Sequence, residues 1–252
     1  MNAQPSRALL GGVGLLLVAG GGCGNSTLDL FDPDRGLLGH WAFDESEPGA
    51  VAMDSSPFGF HAMPSADPPT PTRDVPPVHF PDPFSLSFSG TDQWVNAGNP
   101  PLLNAGGPIS IAAWVRPASI DDGYHNILAH GWRNNPNHDV ALRMYAGNYE
   151  FTYWNTVDHL VSASIPASDV GTWVHLCGVF DGSGYFIYRN GALAASTADT
   201  TTPPPNIDTP WAIGGRAPQP DNLGRVMKGE IDDLRLYGRA LSAGEVEALY
   251  HR

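Results

Sequence analysis

The stretch MKGEIDDLRLYGRALSAGEVEALY, residues 227–250, decides the fold. Its first half predicts a closing β-strand over 230–236, where successive side chains point to opposite faces. On that parity Asp232 shares a row with Leu234 and Leu236, which sets a carboxylate on the core-facing side. A carboxylate there must be paired, hydrogen-bonded or bound to a cation. A turn and a short terminal helix follow. Ser242 and Glu245 form a capping-box pattern, and Leu241 with Val246 suits a hydrophobic staple. Val246, Leu249 and Tyr250 then supply one apolar stripe for docking the helix onto a sheet.

Strand signals recur upstream. Ile109, Ile111, Ala113 and Val115 alternate with Ser110, Ala112, Trp114 and Arg116. Val140, Leu142 and Met144 lead through Ala146-Gly147-Asn148 into Tyr149, Phe151 and Tyr153, which predicts a hairpin. Val174, Leu176 and Phe180 run through DGSG (181–184) to Phe186 and Tyr188. Asn190-Gly191 marks a two-residue hairpin turn, because both residues tolerate positive φ. Many short strands with regular turns and one late helix predict an all-β domain of two packed antiparallel sheets. Two proline-rich stretches, 64–83 and 203–220, read as surface loops, since proline cannot donate to a sheet ladder.

Composition narrows the function. The 252 residues carry 26 acidic against 13 basic side chains, a net charge of −13, and Lys228 is the only lysine. Phosphate-backbone binding needs clustered Lys and Arg, so no nucleic-acid partner is expected. At the N-terminus Arg7 precedes an apolar run over 8–19, too short to remain as a spanning helix, and then Gly20-Gly21-Gly22-Cys23. This looks like a bacterial lipoprotein signal with acylation at Cys23, although Gly20 stands where such signals usually carry Leu. Gly21 and Gly22 fit either lipoprotein or ordinary signal-peptide processing. The expected layout is a signal peptide at 1–22, a lipid-anchored tether at 23–36 and one folded domain at 37–252. The expected location is the cell envelope, with Cys23 anchored in the membrane and Gly24 favouring the outer membrane; without acylation the protein is secreted. Cys177, the second cysteine, reads as a strand residue without a partner.

Further motifs match one family in order. LLGHWAFDES (37–46) comes first, then Asp54-Ser55-Ser56-Pro57 running on through Phe58 and Phe60 to Ala62. SLSFSGTDQWVNAG (85–98), ISIAAWVRP (109–117), TWVHLCGVFDGSGYFIYRNGALAAS (172–196) and WAIGG (211–215) follow. With the closing segment, they make the chain from residue 37 onward resemble laminin-G-like jelly-roll domains of the concanavalin A-like lectin and glucanase superfamily. The resemblance implies a two-sheet antiparallel jelly-roll sandwich with a short C-terminal helix. It also implies one structural calcium, held by Asp232 of the closing strand, by Phe43 and Asp44 after the first strand, and by the loop carbonyl of Gly90. Such an ion ties the two chain ends together, and millimolar calcium is expected to raise the melting temperature. The other options for Asp232 are a salt bridge to an arginine such as Arg116 or Arg239, or simple exposure. The fold hosts lectins, adhesion modules and hydrolases, so it leaves activity open.

Two site readings remain. Segment 121–139, read as a connection between strands, gathers aromatic and polar residues, and Trp154 follows on. Tyr124, His125, Trp132 and Trp154 are therefore the candidate ligand-binding residues, with a polysaccharide or an envelope protein as the expected partner. His125, His130 and His138 match no zinc spacing. Retaining glycosidases need two carboxylates about 5–5.5 Å apart. In the glucanases of the superfamily these follow an E-x-D-x-x-E pattern, but EIDDLR (230–235) ends in Arg235, and Glu150 has no acidic partner at the required spacing. No catalytic residue is expected. A divergent hydrolase stays as an alternative, alongside an adhesion module that binds protein only.

Overall fold

The alternating rows and tight turns produce two antiparallel sheets packed face to face. The structure is a computed structural model that describes residues 31–104, 106–131, 139–203, 207–216 and 225–252, and Pro33–Arg252 form one compact unit. In chain order the strands are β1 (Leu37–Trp41), β2 (Met63–Pro64), β3 (Thr70–Thr72), β4 (Ser85–Ser89), β5 (Val95–Gly98), β6 (Ile109–Pro117), β7 (His125–Gly131) and β8 (Asp139–Tyr145). They continue with β9 (Asn148–Trp154), β10 (Asp158–Ser164), β11 (Val174–Phe180), β12 (Gly184–Arg189), β13 (Ala192–Ala198), β14 (Trp211–Ile213) and β15 (Lys228–Tyr237), before helix α1 (Ala243–Tyr250). The first sheet runs β13-β12-β11-β6-β15-β4-β3, with β1 also paired to β15; the second runs β10-β9-β8-β7-β14-β5-β2. This is a jelly-roll sandwich, as the motifs imply.

Several local expectations hold. The β8–β9 hairpin closes through Ala146 and Gly147, both at positive φ (47° and 74°), with Tyr145 opposite Asn148. The Asn190-Gly191 turn between β12 and β13 likewise takes φ of 50° and 77°. At α1 the Ser242 side chain accepts from the Glu245 N–H, the Glu245 side chain closes the capping box, and Val246 and Leu249 are buried. Tyr250 packs its ring on Trp114 and His175, at centroid distances of 5.6 and 6.2 Å. The inner rows interdigitate between the sheets: Ile111, Ala113 and Val115 of β6 and Leu176 and Phe180 of β11 meet Leu142 and Met144 of β8 and Phe151 and Tyr153 of β9.

Three expectations need correction. The proline-rich stretches are not loops throughout. Residues 70–72 form edge strand β3 on β4, where Pro71 can sit because one side of an edge strand needs no donor. Within 203–220, β14 lies centrally between β7 and β5. Second, residues 125–131 are no connection but strand β7, buried from Asn126 to Gly131; HNILAHG has no two-residue period to announce a strand covered on both faces.

The third correction concerns the closing strand itself. Ile231 pairs with Val115 and Asp232 with Trp114, but the next pair is Arg235 with Ala112, so β15 carries an extra residue. This β-bulge has Asp233 at φ 43°, a left-handed conformation that Asp tolerates better than most residues. Directly opposed residues share a face. Val115 is a core residue and Trp114 is not part of that inner row, so Asp232 lies on the outer face with Trp114. Beyond the bulge Leu234 and Leu236 point inward again. The parity linking Asp232 to Leu234 is therefore broken, although Asp232 is fully buried at 0% exposure.

Candidate functional site

The bulge builds an acidic site on the outer face of the first sheet. Asp233 is the neutralised member. Its carboxylate accepts from Arg235 at 2.9 Å and lies 2.6 Å from Nε2 of His40, which β1 delivers opposite Arg235. Burial works against its charge, yet Arg235 and His40 hold its carboxyl below the ordinary range. Asp232 has no such cation. Its Oδ1 accepts from the Asp233 N–H at 2.8 Å, while Oδ2 is buried with no hydrogen-bond partner among the described residues. Arg116 instead pairs with Asp74 and Glu230, and Arg239 with Glu245, which removes both partners considered for Asp232.

Facing Asp232 is a residue that the sequence did not point to, Asp82 at the end of the first proline-rich stretch. Its Oδ2 is also buried and unpartnered among the described residues. Burial, and then the Asp82 charge, push the Asp232 carboxyl up to about 10; burial, and then Asp44 and Asp233, push Asp82 up to about 7. Asp44 is raised by its own partial burial and by Glu45 and Asp233. Phe43 precedes it at φ 55°, and continuing the Trp41–Leu234 register by two residues brings this turn alongside Asp232. Phe43 has a buried side chain, so only its carbonyl could serve an ion.

Gly90 does not belong to this group. It follows Ser89, which pairs with Lys228 at the far end of β15, about 13 Å from Asp232 at roughly 3.3 Å per residue. The structure thus brings Asp232, Asp44 and Phe43 together and leaves Gly90 out. Among the described residues no three His, Cys, Asp or Glu side chains converge closely enough to cage an ion alone. Calcium accepts backbone carbonyls and water beside carboxylates, so two orphaned carboxylate oxygens at a strained turn remain a compatible donor set.

The aromatic candidates do not assemble into one surface. Tyr124 and His125 stand at the start of β7, whereas Trp154 pairs with Asp139 beside Gly131 at the other end, about 20 Å away at the strand rise. Trp132 lies outside the described residues. Tyr124 is sandwiched: Tyr145 stacks on it at 3.8 Å and the Arg225 guanidinium sits 3.9 Å from the ring centre, so neither face is free for a sugar. His125 is tied through Nδ1 to the Val226 carbonyl at 2.9 Å and through Nε2 to Asp121 at 2.7 Å.

A different polar set occupies the outer face of the second sheet. Register places Asn126, Asp139, Arg143, Glu150 and Thr152 there, opposite the apolar inner rows. All five are buried. Arg143 Nε donates to Glu150 at 2.8 Å, and Asp139, whose carboxyl burial raises, is drawn back by Arg216, Arg143 and Arg225. Both amide atoms of Asn126, Oγ1 of Thr152 and Oδ1 of Asp139 have no hydrogen-bond partner among the described residues. Small side chains, Ala212, Ala129 and Ala141, form a row leading across the strands to Thr152. Such a concentration of unmet polar atoms is unusual in a folded domain and marks a place where water or a ligand completes the bonding.

Cys23 lies outside the described residues, and Cys177 is a fully buried free thiol. No helix among the described residues is long and apolar enough to cross a membrane.

No curated protein matches the sequence significantly. Among solved structures the chain is similar to domain 4 of AbnA, a GH43 extracellular arabinanase from Geobacillus stearothermophilus, in complex with arabinotriose. That match has a TM-score of 0.64 and 20% identity, and covers 85% of this chain and 98% of that one. It is also similar to the binding domain of Paraclostridial Mosquitocidal Protein 1, with a TM-score of 0.65 and 13% identity over 87% of this chain and 52% of that one. The binding domain of Botulinum Neurotoxin DC in complex with SialylT matches with a TM-score of 0.61 and 16% identity, over 87% and 52% of the two chains. The chain therefore spans about half the length of these toxin domains, and at such identities the likeness is one of fold. The family model of the concanavalin A-like lectin/glucanases superfamily matches residues 89–247, well over half of the sequence, and the chain belongs to that family.

Proposed function

We propose that the chain is an exported, non-catalytic recognition module of the cell envelope, anchored through Cys23, that binds polysaccharide and carries a structural calcium near Asp232. The observation that carries the glycan reading is the unsatisfied polar row on the outer face of the second sheet, Asn126, Thr152 and Asp139. A sugar supplies hydroxyl groups that both donate and accept, which suits an amide, a hydroxyl and a carboxylate better than a purely anionic or apolar ligand does. Access requires displacement of covering side chains, of which Arg225, reaching between Tyr124 and Asp139 at 3.9 and 3.8 Å, is one. The arabinotriose and SialylT complexes of the similar domains support a carbohydrate ligand over other classes. A binding role over hydrolysis is supported by the carboxylates being committed elsewhere: Glu150 to Arg143, and Glu230 to Arg116.

Retention on immobilised polysaccharides tests the proposal. Wild type should bind at least one of a panel of arabinan, β-glucan and peptidoglycan. Asn126→Leu and Thr152→Val should weaken that binding by about tenfold or more while the melting curve persists, because each deletes a hydrogen-bonding group worth about 1–3 kcal/mol when buried. Binding unchanged in both variants removes the site. No retained polysaccharide, with an envelope protein captured instead, replaces the glycan reading with protein adhesion.

A further inference from the structure

The family resemblance places a glycine carbonyl at the cation site, and this chain does not. We infer that Asp82, from the proline-rich stretch, is a direct ligand of a divalent cation of the calcium type, bridging that stretch to Asp232 of the closing strand. The inference rests on the calcium reading above and changes which residues hold the ion. Three observations carry it. Gly90 follows Ser89, which is paired with Lys228 at the far end of β15. Asp232, fully buried, directs an unpartnered Oδ2 into the space where Asp82 presents its own buried, unpartnered Oδ2. The cations of the closing strand and of β1 at this point, Arg235 and His40, both bind Asp233 rather than Asp232. Two buried carboxylates that face each other need a proton or a cation between them, because like charges in a low-dielectric site cannot both persist unpaired.

The donor chemistry selects the ion. Carboxylate and carbonyl oxygens are hard ligands, and an irregular set drawn from a turn, a loop and a strand suits the flexible shell of calcium rather than the strict octahedron of magnesium. Binding would also order the loop. His79 N–H already donates to the Arg252 carbonyl at 2.7 Å, so the end of the proline-rich stretch lies on the C-terminus, and an ion at Asp82 adds a second fixed point.

Tb³⁺ titration of the full chain is the test, with emission sensitised by tryptophan (Trp114 stands directly across from Asp232) and calcium as competitor. Wild type should bind, Asp82→Asn should lose about tenfold or more in affinity, and Asp74→Asn, in the same stretch, should bind like wild type. Melting in EDTA serves as the folding control, where Asp82→Asn should match or exceed wild type because one of two facing charges is gone. Trypsin cleavage after the exposed Arg73 gives a readout without any variant: calcium should slow it. If Asp232→Asn abolishes binding but Asp82→Asn does not, the role of Asp82 falls and the calcium reading survives. If wild type binds neither Tb³⁺ nor calcium, and cleavage at Arg73 ignores calcium, both fall and the pair shares a proton instead.

Discussion

Glu150→Gln is the substitution on which the reading of the second sheet can be made most quantitative. The ion pair it disrupts is short, 2.8 Å, and nearly closed to solvent, with side-chain exposures of 5% for Arg143 and 8% for Glu150. Removing one partner of such a pair strands the other charge and typically costs about 3–5 kcal/mol. Two features lower that figure here. Glutamine keeps an oxygen able to accept from Arg143 Nε, and the guanidinium still lies 5.0 and 5.7 Å from the Tyr124 and Tyr145 rings. The expected loss is about 2–3 kcal/mol, or roughly 5–10 °C in melting temperature for a domain of this size. Urea unfolding measures it, with the midpoint falling and the slope unchanged. The Arg143→Leu/Glu150→Leu double variant should recover to within about 1 kcal/mol of wild type, because an apolar pair of similar volume often replaces a buried ion pair at little cost. A Glu150→Gln protein as stable as wild type would refute the structural role, and if hydrolysis of a β-glucan by wild type vanished in that variant, Glu150 would be catalytic.

Other perturbations reach the core and the first sheet. Gly178 of β11 lies under Phe151 of the opposite sheet, and a Cβ there would fall far inside contact distance of the ring, so Gly178→Ala should cost about 1–3 kcal/mol in a urea melt; an unchanged midpoint would mean the sheets can part freely. His175 is buried beneath α1, and burial pushes its imidazole down to about 4 from 6.5, with Arg235 adding to the effect and Asp233 opposing it. Above pH 6.5 the ring is neutral folded or unfolded and costs nothing; between 6.5 and 4 only the unfolded chain takes the proton, so up to about 3 kcal/mol of stability is lost as pH falls. Ring resonances of His175 should stay neutral at pH 5.5, and titration near 6.5 would show that the site is wet. Cys177, whose thiol burial pushes far up, should resist a water-soluble disulfide reagent until the protein is denatured; rapid labelling of native protein would contradict its burial in β11.

How far these features were legible depends on the range over which each is encoded. The Asn190-Gly191 turn, the β8–β9 hairpin and the Ser242–Glu245 cap are local, with residue chemistry and geometry contained in a few positions, and each appears where expected. β7 was missed because a strand buried on both faces has no alternation to read. Asp82 was missed because nothing near it in sequence tells that a proline-rich stretch ends against a strand about 150 residues later. Parity misplaced Asp232 for a third reason: strict alternation requires an unbroken pleat, and the bulge inserts one residue between Asp232 and Leu234. The Asp232-Asp233 doublet was the available signal, since a short polar side chain eases the positive φ a bulge requires.

That broken pleat also explains why the site exists. On an unbroken strand with Leu234 and Leu236 facing inward, Asp232 would face inward too, among apolar core side chains such as Phe43, and Ile231 would turn out of the core. The desolvation penalty there would amount to several kcal/mol with nothing to offset it. The bulge turns both acidic side chains to the outer face, where β1 supplies His40, β15 supplies Arg235, and the proline-rich stretch brings Asp82. One inserted residue thus lets the closing strand keep an apolar inner row while assembling carboxylates outside it. Deleting Asp233 should restore a regular pleat, with Ile231 and Leu234 still inward and Asp232 still outward, but it removes the acceptor of Arg235 and His40. It should therefore cost more stability than Asp232→Asn, which keeps that acceptor; equal losses, measured by urea unfolding in EDTA, would show that the bulged residue has no such role.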